Sequence, residues 1–252
     1  MRRIVALISY DGSNYCGWQN QLKIPTVQKQ LESALEKITK KRINTVAAGR
    51  TDSGVHAFSL PVHFDFPNDR MSLKQIKLAL FSCLPSDIRP IKLIEVTNEF
   101  HARFSAISKS YQYHIAKQRS VFNRLYQTYF KNCYIDLDKI KPVLKIFLGN
   151  HDYSAFSKPN KDIPNKICCV NDFTIKETKS SWIFEINGNR FLHHMVRRLV
   201  GTIVIGSNKG FNKEKFHKIL KEKIKEQNLI FTAPPNGLFL KEVFYPREYG
   251  LN

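Results

Sequence analysis

Residues 47–57 read AAGRTDSGVHA, so a guanidinium (Arg50) and a carboxylate (Asp52) stand one residue apart between Gly49 and Gly54, with His56 just beyond. An aspartate with its ordinary pKa of about 3.9 is ionised at neutral pH. In that form it can attack an electrophilic carbon or accept a proton. If the site were buried, the charge would need a cation to remain. The same residue type also closes turns by bonding its own loop, and the spacing alone leaves both uses open. The glycines do not make a phosphate-binding P-loop, because G-K-[ST] is missing, and their spacing fails the dinucleotide fingerprint.

Two further residues carry chemistry. Arg197, in HHMVRRLVG, keeps its charge and can grip a carboxylate through two hydrogen bonds. On a helix, His193, Arg197 and Gly201 would share one face, and Gly201 would let another backbone approach closely. The bland alternative for Arg197, and for Arg198 beside it, is a solvated helix face. Tyr111 lies in KSYQYHIAK, an alternating run in which aromatics usually face a core, as expected for Tyr113. His56 and His63 are expected to support the loop and the strand after it. His193 and His194 would project from different faces of a helix, so no metal site is expected there. Cys16, Cys83, Cys133, Cys168 and Cys169 form no C-x-x-C pair and suit no disulfide framework, so they read as inert thiols.

The elements that must hold these residues follow from periodicity. RRIVALISY is a strand ending at Asp11-Gly12. TVQKQLESALEKI is a helix capped by Thr26, with Val27, Leu31, Ala34, Leu35 and Ile38 on one face. RINTVAA is a strand leading to the GRTDSG turn, and PVHFDF is a half-buried strand beyond it. SLKQIKLALFSCL is a helix capped by Ser72, and IRPIKLIEV is extended. DLDKIKPVLKIFLG is a helix with Pro142 in an early turn and Gly149 as its stop. CCVNDFTIKET and SWIFEINGN form a hairpin joined near Lys179-Ser180. FLHHMVRRLVGTIVI and NKEKFHKILKEKIKEQ are helices, and GLFLKEVFY is a final strand. The expected class is α/β (α+β): two related α/β halves, 1–105 and 106–252, sharing a mostly antiparallel central sheet flanked by helices.

The 252 residues carry a formal net charge of +19 with 42% hydrophobic side chains, which argues against disorder and for a polyanionic partner. The lysines of 213–225 could form a phosphate-binding face, though Glu214 and Glu222 interrupt them and a solvated helix fits equally. No apolar run is long enough to span a bilayer, and the N-terminal MRRIVALISYDGS lacks a signal-peptide pattern, so a cytoplasmic protein without membrane contact is expected.

GRTDSGVHA resembles the active-site motif GRTDxGVHA of the TruA family of tRNA pseudouridine synthases. The likeness extends in order along the chain through SYDGSNYCGWQNQ, LPSDI, FHARFSAISKSYQYHI, HDYSAFS, NRFLHHMVRRLVG and PPNGLFLKEVFY. It implies isomerisation of uridine to pseudouridine at positions 38, 39 and 40 in the anticodon arm of tRNA, without cofactor or metal, by a homodimer. It makes Asp52 the catalytic aspartate, acting as nucleophile or as base at the sugar, and Arg197 the arginine paired with it. It makes Tyr111 the tyrosine that stacks on the target base, and Arg50 the residue that helps flip the uridine and fill its place. Leu60 and Pro61 stand where the family pattern has glutamine and a small apolar residue, and the segment around Cys168 lacks an arginine common there. Charge alone would also suit an RNA-binding protein without the reaction, but binding by itself does not require the joint presence of Asp52, Tyr111 and Arg197.

Overall fold

The structure is a computed structural model that describes residues 1–67, 70–159, 164–224, 226 and 228–251. In chain order the elements are β1 (Arg2–Tyr10), α1 (Val27–Thr39), β2 (Val46–Ala47), β3 (His56–Phe66), α2 (Leu73–Cys83) and β4 (Ile88–Val96). There follow β5 (Ser108–Ala116), α3 (Leu137–Leu144), β6 (Gly149–Asp152), β7 (Ile167–Glu177), β8 (Ser181–Gly188), α4 (Met195–Asn208), α5 (Lys213–Lys221) and β9 (Leu238–Phe244). The class is mixed α/β, with strands that pair mostly antiparallel and helices that pack beside them.

The chain divides into two compact units, Met1–Lys109 with Phe239–Asn252, and Ser110–Leu238. The boundary between them falls at Lys109, close to the expected 105, and the C-terminal residues from Phe239 join the first unit. Phe239 and Leu240 pair in parallel with His56 and Ala57, which returns the C-terminal segment to the first unit.

In the first unit the strand order is β4-β1-β3-β9, with β2 also on β3. β1 runs antiparallel to both β3 and β4, placing Ile4 opposite Phe64 and Ala6 opposite Val62. The expectation of a half-buried PVHFDF strand needs correction. β3 begins at His56, directly after the GRTDSG turn, and Leu60 through Phe64 are all buried. It is an interior strand of the sheet, with β1 paired along one edge and β2 and β9 along the other. RINTVAA contributes only the two-residue β2.

α1 forms as its pattern predicts. The Thr26 hydroxyl accepts the Lys29 amide, a cap worth about 1 kcal/mol, and Val27, Leu31, Ala34 and Leu35 are buried. Ser72 and Gln75 make a reciprocal capping box on α2, which packs against β4 and α1.

In the second unit the strand order is β5-β8-β7-β6. β7 and β8 form the expected hairpin, closed by the Thr178 amide donating to the Ser181 carbonyl at 2.8 Å. α3 contains Pro142, ends at Leu144 and tightens into a 3-10 turn over Lys145–Phe147. Gly149, at φ +87°, then starts β6. α5 is shorter than its pattern: it stops at Lys221 and Lys223 takes a left-handed φ of +55°, while Lys225 and Gln227 of the expected continuation lie outside the described residues.

α4 also starts later than its sequence suggests, at Met195. His194 sits at φ +65°, a left-handed conformation that cannot continue into a helix from the N-terminal side. His193 is thus outside the helix and does not share a helical face with Arg197 and Gly201. The two histidine rings do not diverge either, with centroids 4.2 Å apart in edge contact. The helical argument against a metal at this pair therefore does not hold.

No helix among the described residues is long and apolar enough to cross a membrane. All five cysteines are free, and burial pushes the Cys168 thiol up to about 11, in keeping with an inert side chain.

Candidate active site

The Asp52 loop is built from below by the segment after β1. β2 delivers the chain to Ala48, whose amide donates to the Pro61 carbonyl at 2.9 Å. The Ala48 carbonyl accepts the Lys109 ammonium at 2.7 Å, so a cation anchors the entrance to the loop. At its far end the Val55 amide donates to the Asp52 carbonyl at 3.2 Å, closing a tight turn. Gly54 takes φ +75° at the third position of that turn, where a side chain would be strained.

Between these ends the loop rests on residues 10–18. The Tyr10 hydroxyl meets Thr51 Oγ1 at 2.8 Å, and the Trp18 amide donates to the Thr51 carbonyl at 3.3 Å. The Tyr15 carbonyl accepts both the Gly54 amide at 3.2 Å and the Ser53 hydroxyl at 3.3 Å. Tyr15 is itself held by Asp87, whose carboxylate accepts the phenol at 2.6 Å. Glycine is required at Gly17, where φ is +86° and a Cβ would fall 2.5 Å from the Thr51 carbonyl oxygen. Thr51 is buried within this cradle, Asp52 is partly exposed and Arg50 is exposed. The first unit therefore carries a carboxylate and a guanidinium together on one anchored loop.

His56 supports this loop, as expected. Its Nδ1 lies 3.0 Å from the Gly12 amide, which donates to it, and 3.1 Å from Asp11 Oδ1, while its ring stacks on Phe239. His63 is structural too. It accepts the Ala102 amide at Nδ1, and burial lowers its pKa to about 4. Leu60, where the family pattern has a glutamine, is fully buried, so its apolar side chain belongs to the core.

The second unit holds Tyr111 and Arg197. Tyr111 is on β5, is largely buried and meets Phe191 edge-on at 5.1 Å. Tyr113, two residues along, is a core residue. Its hydroxyl donates to the Pro234 carbonyl at 2.8 Å and meets Thr128 Oγ1 at 2.7 Å, and burial raises its pKa further from neutrality. The strand pattern alone does not separate these two tyrosines.

Arg197 stands in the first turns of α4. Its Nε donates to the Ala233 carbonyl at 2.8 Å, and the Ala233 amide donates back to the Arg197 carbonyl at 3.0 Å. Gly201 makes this contact possible, because a Cβ there would lie 2.5 Å from the Phe231 carbonyl oxygen and 2.7 Å from the Ala233 nitrogen. Thr202 extends the docking by accepting the Phe231 amide at 3.1 Å. Arg198 is not the solvated neighbour that its position suggests. It is partly buried, donates to the Ser157 carbonyl at 2.6 Å, and has its pKa lowered by burial.

Lys109 and Ala233 carry no mark in the sequence that reveals these roles, since Lys109 bonds a carbonyl far away in the chain and Ala233 acts through its own backbone. Gly12 and Gly17 could have been suspected from their glycine identity beside the loop-supporting aromatics.

The family model described as tRNA pseudouridine synthase matches residues 6–105 and 143–246. Among curated proteins, the chain is 42% identical over 246 residues to the tRNA pseudouridine synthase A of Phytoplasma mali (strain AT), covering 95% of this chain and 97% of that relative. It is 37% identical over 248 residues to the protein of the same name from Thermotoga sp. (strain RQ2), covering 97% and 100%. A third, from Clostridium botulinum (strain Alaska E43 / Type E3), is 37% identical over 250 residues, again covering 97% and 100%. With the Asp52 loop intact and a likeness running nearly end to end, the chain belongs to the tRNA pseudouridine synthase family and is an isomerase.

Proposed function

We propose that this isomerase converts uridine to pseudouridine at positions 38, 39 and 40 in the anticodon arm of tRNA. The N1–C1′ bond breaks, a C5–C1′ bond forms, and the C5 proton is lost as N1 gains one, so no oxidant, reductant or external group enters. Asp52 acts in its ionised form at the sugar, as nucleophile at C1′ or as base. Arg197 supplies the cation for that carboxylate, Tyr111 stacks on the uracil, and Arg50 helps extrude the nucleotide and fills the gap. Extrusion is needed because C1′ and C5 are inaccessible in a stacked helix, and it costs a few kcal/mol. The chain works as a homodimer in the cytoplasm, where a net charge of +19 favours a polyanionic substrate.

The observation that carries this reading is the construction of the Asp52 loop. Tyr10, Tyr15 and Trp18 together fix Thr51, Ser53 and Gly54, the residues on either side of Asp52, while Asp52 keeps access to solvent. Such pre-set geometry is what a reacting carboxylate needs, and an Asx-turn would not require so many distant partners. Asp52→Ala is expected to abolish pseudouridine formation while tRNA binding persists. Pseudouridine mapped at base resolution by the purified wild-type protein tests the positions, and modification only outside the anticodon arm would contradict them.

A further inference from the structure

The turn after Phe100 carries an exposed aromatic ring that the reaction chemistry leaves unused. Phe104 is 76% exposed, although phenylalanine in a folded chain normally hides most of its surface. A lone exposed apolar residue needs no explanation, but Phe104 is held outward by a built turn. The Ser105 amide donates to the His101 carbonyl at 2.9 Å, and the His101 amide donates to the Ser105 hydroxyl at 3.0 Å. The amides of Arg103 and Phe104 both donate to His101 Nδ1 at 3.2 Å.

Those two bonds require a lone pair on Nδ1, so the imidazole is neutral with its proton on Nε2. The His101 ring then lies under Phe104, with centroids 4.3 Å apart and planes 26° from parallel. Behind it, His63 meets the His101 ring at 5.0 Å. Arg103, exposed in the same turn, places its guanidinium carbon over the Phe104 ring, 5.7 Å from the centroid. The result is an aromatic ring backed on one face by a neutral imidazole, with a loosely held cation over it that an incoming base would displace towards its phosphate.

We propose that Phe104 is a stacking platform for an unpaired base of the RNA substrate, outside the reacting uridine, with Arg103 on the adjoining phosphate. The proposal rests on the reading of the substrate as tRNA. Stacking on an aromatic ring suits any base, and a neighbouring cation suits the phosphate that follows it. The Arg103 guanidinium at the ring and the strongly basic chain both favour an anionic occupant there. His101 fixes the plane of the ring in advance, so little side-chain freedom is lost on binding.

The test is the equilibrium affinity of the full chain for unmodified tRNA at fixed salt. Stacking worth roughly 1–3 kcal/mol corresponds to about a 5- to 140-fold loss of affinity in Phe104→Ala. Phe104→Trp should stay close to wild type, while Phe104→Leu should remain weak, because it restores apolar area without a π-face. Thermal unfolding of each variant confirms that the exposed substitution leaves the fold intact. Arg103→Ala should flatten the slope of log affinity against log salt, and Phe104→Ala should leave that slope as it is. Unchanged affinity in Phe104→Ala, or full recovery in Phe104→Leu, overturns the proposal. So does a Phe104→Ala protein that keeps its affinity but changes its oligomeric state in sedimentation, since the ring would then belong to a protein interface. A wild-type protein that binds no tRNA would instead overturn the reading of the substrate, which separates the two failures.

Discussion

Arg197 and Ala233 hold each other twice, through Nε to carbonyl at 2.8 Å and amide to carbonyl at 3.0 Å. A guanidinium tethered at Nε has its remaining donors aimed by the helix and by the 231–233 segment together. Arg197→Lys keeps the charge but has no Nε and no planar fork. Pseudouridine formation by this variant is expected to fall at least tenfold, with thermal stability lowered by no more than about 1–2 kcal/mol. Wild-type turnover in Arg197→Lys would show that the fork is dispensable.

Gly201 tests the same tether from the other side. Its absent Cβ makes room for the Phe231 carbonyl and the Ala233 amide, which are backbone atoms that cannot swing away. Gly201→Ala should destabilise the second unit by about 1–3 kcal/mol through overpacking, and should lower activity beyond the loss of folded protein. A chemical-denaturation midpoint equal to wild type would mean the segment yields easily.

Gly17 plays the corresponding part beneath Asp52. Gly17→Ala combines a left-handed φ with a contact 2.5 Å from the Thr51 carbonyl oxygen. Strain of this kind costs on the order of 1–3 kcal/mol, and relief would move Thr51 and hence Asp52. The expected signature is a fall in single-turnover rate with little change in tRNA affinity. Equal rates in Gly17→Ala and wild type would contradict the positioning role of residues 10–18.

Tyr111 and Tyr113 should separate by readout. Tyr113→Phe abandons the Pro234 carbonyl and Thr128 in a buried setting, so it should cost about 1–3 kcal/mol of stability. Tyr111→Leu should spare more stability and remove activity. The opposite assignment of stability and activity losses would count against the roles given to both residues.

Acid should weaken the first unit through His63. Burial first, then Arg3 and His101, hold its folded pKa at about 4, whereas the unfolded chain titrates near about 6.5. Between those values the unfolded state binds more protons, so the stability contribution is full above the higher value and is lost as pH falls towards the lower one. The urea midpoint should drop between pH 7 and pH 5, and the drop should shrink in His63→Gln. An equal drop in both proteins would assign the acid sensitivity elsewhere.

Much of the architecture was legible in periodicity. α1 and α2 begin at Thr26 and Ser72 because short polar side chains there satisfy helix amides, and the 178–181 hairpin falls where the pattern broke. The start of α4 is not visible in the sequence, because the left-handed φ of His194 leaves no trace in hydrophobic spacing. The interior place of β3 is not visible in its alternation, because its pairing with β9 joins residues far apart in sequence. Arg50, Asp52, Tyr111 and Arg197 were nominated by residue type and by resemblance. Their supports Lys109, Gly17 and Ala233 make their contacts to or through backbone atoms of distant residues, which motif chemistry does not display.

The central claim is that the Asp52 carboxylate reacts at the sugar. It is tested most directly by single-turnover pseudouridine formation on tRNA with Asp52→Ala at enzyme concentrations that saturate binding. The account predicts that the tRNA is bound and no pseudouridine is made. Measurable conversion by that variant would contradict it.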